Sequence, residues 1–289
     1  MPEGNENPGV HRDASPHGSG QPPTGREIVV RARDLALGYG RPAFNGASFD
    51  IPGGVVAAVI GPNGSGKSTL LHAIAGLLEP LHGSLEVIGQ MPAQAQSSIS
   101  YVLQGTSVTK GVPITVREAV RMARYRTSGL IRRMRSQDRA RIDAALADLG
   151  IQDLAARHLS ELSGGQRQRV FVAQAVAQDH AMLLMDEPLT GLDFTSAEAI
   201  DRIIHKESDM GCTVIITTHD LDEARAAQYV LLLGSGRLIA GPPEQVLTTD
   251  HLTEAYGLGR RHPTHPMDTH PPTAHHDHGH RSDQRGSDA

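Results

Sequence analysis

The chain has no tryptophan, a single cysteine and, in 289 residues, only five tyrosines and four phenylalanines. One cysteine, Cys212, excludes an internal disulfide and fits a reducing compartment, so a cytosolic setting is expected. Lysine is also scarce: Lys67, Lys110 and Lys206 are the only ones among 27 basic residues, the rest being arginine. A formal net charge of −5 lacks the basic footprint of a dedicated nucleic-acid binder, and no nucleic-acid partner is expected. No run reaches the roughly 18 consecutive apolar residues of a spanning helix. The opening MPEGNENPGVHRDASPHGSG has no basic stretch followed by an apolar core, so it does not read as a secretory signal.

What is present, 38% hydrophobic and 20% charged residues, suits a soluble globular chain with a real core. Residues 1–26 and 259–289 are rich in Gly, Pro, Ser, Asp and His and poor in large apolar side chains. They cannot bury enough surface to offset their ordering entropy and read as disordered tails around one folded unit, 27–258. Inside it, Val55–Ile60, Met182–Met185, Thr213–Thr217 and Val230–Leu233 read as buried strands of a largely parallel sheet. Helical patterns such as Ser68–Leu78 and Ala197–Ser208 alternate with them, which implies an α/β architecture. Residues 105–160 lack a strand-like run and read as an inserted helical subdomain.

The Val55–Ile60 strand leads into Gly61-Pro62-Asn63-Gly64-Ser65-Gly66-Lys67-Ser68-Thr69 and then a helix, the setting a phosphate-binding P-loop requires. Its glycines let backbone N–H groups converge on phosphate oxygens, and the helix N-terminus adds partial positive charge. Lys67 is expected to reach the β- and γ-phosphates of ATP, Ser68 to ligate Mg²⁺ and Thr69 to contact the α-phosphate. In a chain so rich in arginine, lysine at this position is telling. A compact ammonium fits inside a closed backbone loop where a broad guanidinium does not.

Further on stands Leu162-Ser163-Gly164-Gly165-Gln166, followed by a helical run. In isolation a Ser-Gly-Gly turn before a helix is simply a cap. With a P-loop in the same chain it is a second anion-binding helix terminus. Asp186-Glu187-Pro188 then places two carboxylates at the end of a buried strand. Such a pair suits a Mg²⁺ partner and a base that orients water.

With these motifs the chain resembles the ABC ATPase family, over nearly all of 27–258. The resemblance implies a P-loop NTPase core with a largely parallel sheet, an antiparallel β region and the inserted helical subdomain. It implies that Asp186 holds Mg²⁺ through water and that Glu187 polarises the attacking water. His219, in Thr218-His219-Asp220, matches the switch histidine that contacts the γ-phosphate, and Gln104 matches the residue linking Mg²⁺ to the transporter interface. Gly191-Leu192-Asp193 resembles the loop that crosses the dimer interface. Tyr39, held between Gly38 and Gly40, takes the place of the aromatic that stacks on adenine. Leu103 before Gln104, where many relatives have proline, and Val55, where glutamate is usual, depart from the pattern. By the same resemblance, Leu162–Gln166 contacts the ATP of a second copy in a head-to-tail sandwich. A separate permease is then expected, with the ATPase peripheral at the cytoplasmic face of the membrane.

Pro113–Glu118 and the ending Glu254-Ala255-Tyr256-Gly257 look like ATPases of the manganese and zinc uptake group, served by an extracytoplasmic metal-binding protein; an importer ATPase for iron chelates or another cargo, or a soluble ABC ATPase without a transport role, is the alternative. The C-terminal His262, His265, His270, His275, His276, His278 and His280 are candidate metal ligands. An inert polar tail is the alternative there. From Arg117 to Arg141 nine arginines accompany two acidic residues, which reads as a membrane- or permease-facing surface or as an ordinary solvated face.

Overall fold

The computed structural model describes residues 27–105, 113–125 and 134–258. Both expected tails, with the seven C-terminal histidines, lie outside the described residues. Two sheets organise the rest. In the first, β1 (Ile28–Tyr39) is flanked by β2 (Arg41–Pro52) and β4 (His82–Val87), all antiparallel. Period-two alternation drives it: Val30 and Ala32 turn inward while Arg31 and Arg33 face water and pair with Asp50.

The second sheet has the order β5 (Ile99–Val102), β6 (Met182–Asp186), β7 (Thr213–Thr218), β3 (Val56–Ile60), β8 (Tyr229–Gly234) and β9 (Arg237–Gly241). Its first five strands run parallel, and β9 returns antiparallel on β8 at the edge. Strands β3, β6 and β7 are buried at every position, because both faces are covered. Ala57 and Val59 face a layer holding Leu70, Leu71 and Ile74 of α1 (Lys67–Ile74), together with the antiparallel sheet. Ala58 and Ile60 face the opposite layer, with Ile200, Ile203 and Ile204 of the long helix Phe194–Asp209.

The helix expected over Ser68–Leu78 stops at Ile74. Gly76, at φ 71°, takes the left-handed conformation, and the N–H of Leu77 turns back to the carbonyl of His72. A short α2 (Pro92–Ala95) precedes β5. Between β5 and the Ser163 turn, the described residues form α3 (Val116–Met122), α4 (Ser136–Asp148) and short 3₁₀ turns. The turn Leu162–Gln166, hereafter the signature turn, then opens α5 (Gly164–Val176), and α6 is the helix Phe194–Asp209. After β7 come α7 (Leu221–Ala226), the β8–β9 hairpin, α8 (Pro243–Val246) and α9 (Thr249–Tyr256). At Gly234 a Cβ would sit 2.4 Å from the Cα of Ala255, so only glycine lets α9 lie this close to β8.

The arginine-rich stretch is not one solvated face, because Arg124 points inward and is 5% exposed. Its Nε donates to Asp138 at 2.9 Å, and its Nη1 donates to Asp179 at 2.9 Å and to the carbonyl of Ala177 at 3.1 Å. This clamp ties α4 to the segment after α5. Asp138→Ala would remove one carboxylate partner from a buried guanidinium that also pairs with Asp179. We expect a loss of about 3 kcal/mol, read from urea unfolding, since breaking a buried pair costs about 3–5 kcal/mol.

Candidate nucleotide site

The carboxyl ends of the parallel strands open into a cleft of about 760 Å³. Its floor is the turn from β3 into α1. A Cβ on Gly61 would stand 2.0 Å from the carbonyl oxygen of Leu233, so the turn lies hard against β8. Gly64 and Gly66 take φ of 77° and 103°, and Gly66 begins α1 with no side-chain cap. The first N–H groups of the helix are therefore left for an anion. Lys67, 7% exposed, donates from Nζ to the carbonyls of Gly61 at 2.9 Å and Pro62 at 3.3 Å. Pro62, Asn63, Ser68 and Thr69 line the cleft, whereas the Ser65 hydroxyl is buried with no hydrogen-bond partner among the described residues.

Three distant positions face the same space: Gln104 after β5, Glu187 after β6 and His219 after β7. Asp186, 4% exposed, ends β6 and accepts a hydrogen bond from the Thr217 hydroxyl. That hydroxyl oxygen also accepts from the N–H of Glu187 at 2.8 Å. Glu187 itself has φ 48°, a strained conformation for a residue with a Cβ. Thr217 thus fixes the Asp186 carboxylate and the Glu187 backbone from the neighbouring strand, a role the sequence reading did not give it. Its signal was only a polar residue within an apolar strand. Thr217→Val keeps the shape and removes both bonds. It should lower kcat while leaving KM for ATP little changed, as expected of a positioning residue whose loss shifts Glu187.

The signature turn is not part of this cleft lining. Ser163 accepts from the N–H of Gln166 at 3.2 Å and its own N–H donates to the Gln166 side chain at 3.0 Å, a closed capping box. Ser163 and Gly164 are exposed, whereas Leu162 is buried and anchors the turn in the core. Asp193 caps α6, accepting from the N–H and hydroxyl of Ser196 at 2.9 and 2.8 Å, and these bonds hold its carboxyl below the usual range. A Cβ on Gly165 would meet Asp193 Oδ2 at 2.5 Å, so the signature helix and the Asp193 loop share one close contact. Tyr39 stands 68% exposed at the end of β1, outside the cleft lining, with its hydroxyl 2.8 Å from His72 Nδ1. Tyr256 of α9 does line the cleft, and sequence reasoning missed it because only the docking of α9 on Gly234 brings it there.

A family model for the ABC transporter matches residues 44–190, which include the P-loop, the signature turn and the carboxylate pair. The chain belongs to the ABC transporter family. It is an ATP-binding ABC ATPase, and its relatives are transport-system subunits. It is 36% identical over 239 residues to the chelated iron transport system membrane protein YfeB of Yersinia pestis, covering 82% of this chain and 81% of that one. The manganese transport system ATP-binding protein MntB of Bacillus subtilis (strain 168) is 37% identical over 218 residues, 75% of this chain and 87% of its own. The hemin import ATP-binding protein HmuV of Nocardia farcinica is 40% identical over 265 residues, with 87% and 88% covered. Among solved structures, an ABC transporter in an inward-facing conformation matches with a TM-score of 0.70 at 29% identity, over 79% of this chain and 89% of that chain. Among the described residues, no helix of this ABC ATPase is long and apolar enough to cross a membrane.

Proposed function

We propose that this ABC ATPase powers import of a divalent metal ion, zinc or manganese, through a separate membrane permease. It would sit peripherally at the cytoplasmic face, as a head-to-tail pair, with an extracytoplasmic metal-binding protein delivering cargo. Residues 27–258 would form the ATPase domain, with 105–160 as its permease-facing helical subdomain. The carrying observation is the convergence of Gln104, Glu187 and His219 on the Lys67 cleft.

In that cleft Lys67 takes the β- and γ-phosphates, Thr69 the α-phosphate and His219 the γ-phosphate. Glu187 orients and deprotonates the attacking water. The Ser68 hydroxyl, the Asp186 carboxylate and the Gln104 amide form an oxygen donor set that suits Mg²⁺, which supplies charge neutralisation on the phosphates when bound. Tyr39 stacks on adenine, Ser163–Gln166 grips the ATP held by the other copy, and Asp193 lies at the junction of the two.

The manganese relative supports the cargo class. The relatives named for chelated iron and hemin favour a second reading, an iron-chelate cargo. Deleting this chain's gene should lower cellular manganese or zinc, measured by elemental mass spectrometry, with growth restored by the added metal salt. A strain with normal content of both metals that fails only on an iron chelate would select the second reading.

A further inference from the structure

At the amino ends of β6 and β7, away from the nucleotide cleft at their carboxyl ends, three side chains with metal-ligating atoms meet. His180 precedes β6, Cys212 precedes β7, and Glu207 lies near the end of α6. Their ligand atoms all fall within 4.8 Å of one another. The His180 side chain is 4% and that of Glu207 12% exposed, and Cys212 is buried.

The hydrogen bonding around His180 is what makes the cluster informative. Its Nδ1 is 3.1 Å from the carbonyl of Gln178, an acceptor, so Nδ1 carries the proton and donates. In the neutral ring Nε2 then presents a lone pair. That atom is buried, has no hydrogen-bond partner among the described residues, and lies 3.2 Å from Glu207 Oε2. Two electron-rich atoms at this separation, out of water, require something positive between them. A second proton on the imidazole is one source, as an ion pair at 3.2 Å without an aligned N–H···O bond; a bound cation is the other.

A cation meets the geometry directly. Zinc–nitrogen and zinc–oxygen bonds of about 2.0–2.2 Å place adjacent tetrahedral ligands about 3.3 Å apart. The Nδ1 bond to a backbone carbonyl is the outer-shell contact that fixes the orientation of a ligating imidazole. Neutral His180 with the Glu207 carboxylate and a Cys212 thiolate balances a dication's charge. Beside the cluster a hollow of about 410 Å³, edged by Arg141 and Met210, leaves room for entry and for water as a fourth ligand.

We infer that His180, Glu207 and Cys212 form a divalent-metal site of the zinc class, separate from the ATP cleft. An arriving cation displaces the thiol proton of Cys212 to solvent, so its affinity rises with pH.

The sole cysteine makes the test specific. Full-length chain, free of nucleotide, is titrated with Co²⁺ at pH 8, and the thiolate-to-cobalt charge-transfer band in the near ultraviolet is followed. The histidine-rich C-terminal segment cannot produce that band. We expect it to saturate at one thiolate-bound Co²⁺ per chain and to bleach on adding Zn²⁺. Cys212→Ser should abolish it, and His180→Asn and Glu207→Gln should each weaken Co²⁺ binding at least tenfold, with melting curves showing that the metal-free variants are folded. No charge-transfer band at saturating Co²⁺ would overturn the site. So would unchanged Co²⁺ affinity in both His180→Asn and Glu207→Gln. Should Cys212→Ser fail to fold, those two variants decide the matter alone.

Discussion

Glu187→Gln should reduce ATP turnover by roughly 10²–10⁴-fold, the contribution of a positioned general base, while ATP still binds. The substitution is nearly isosteric. It keeps the bond from the Glu187 N–H to Thr217 and leaves Asp186 anchored on the same hydroxyl. The φ of 48° belongs to the backbone, which the substitution leaves unchanged. What disappears is basicity at a carboxylate that lines the cleft. The variant should therefore accumulate with ATP bound. If the signature turn of each copy grips the other's nucleotide, the stalled form is a dimer, because the terminal phosphate that joins the two surfaces persists. Turnover is measured by phosphate release, and association by light scattering with and without ATP. Near-normal phosphate release would remove Glu187 from its role. A variant saturated with ATP yet strictly monomeric would dismantle the two-copy site.

The parts of this site that were legible in the sequence are those whose chemistry is local. Gly61, Gly64 and Gly66 must be glycine for reasons within a few residues or one neighbouring strand, and Ser163 with Gln166 closes its capping box within one turn. The buried strands announced themselves as short apolar runs, and the boundaries of β6 and β7 moved by a single residue. Contacts made across the sheet were hidden. Thr217 couples to β6 only because β7 lies beside it, and Tyr256 reaches the cleft only because Gly234 admits α9. The pairing of β1 with β2 and β4 escaped residue-level reading as well, since register shifts at Ala32–Leu35 and Leu35–Gly38 blur the alternation along β1. The Ser68–Leu78 pattern overran its helix because apolar spacing continues past Gly76 while the backbone does not.

Lys67→Arg separates charge from shape, and it should fail nearly as badly as Lys67→Ala. Lys67 is 7% exposed, and its ammonium donates to the carbonyls of Gly61 and Pro62. Three rotatable donors on one atom can leave those carbonyls and turn to a phosphate in the same small volume. A guanidinium is planar and spreads its donors over several atoms, and Gly61 cannot yield because it already abuts the Leu233 carbonyl. Losing a charge-assisted contact costs about 1.5–3 kcal/mol, which raises the ATP dissociation constant by roughly 10- to 150-fold. Turnover falls further, by at least about 10²-fold, because Lys67 also faces the charge that develops on the transferring phosphoryl group. Both variants should melt close to the parent, since Gly61 and Pro62, whose carbonyls Lys67 releases, line an open cleft. Calorimetric titration with ATP checks the first figure and phosphate release the second. Arginine restoring tight binding would mean that positive charge alone suffices here. The choice of lysine in a chain otherwise built on arginine would then carry no information about the phosphate cradle.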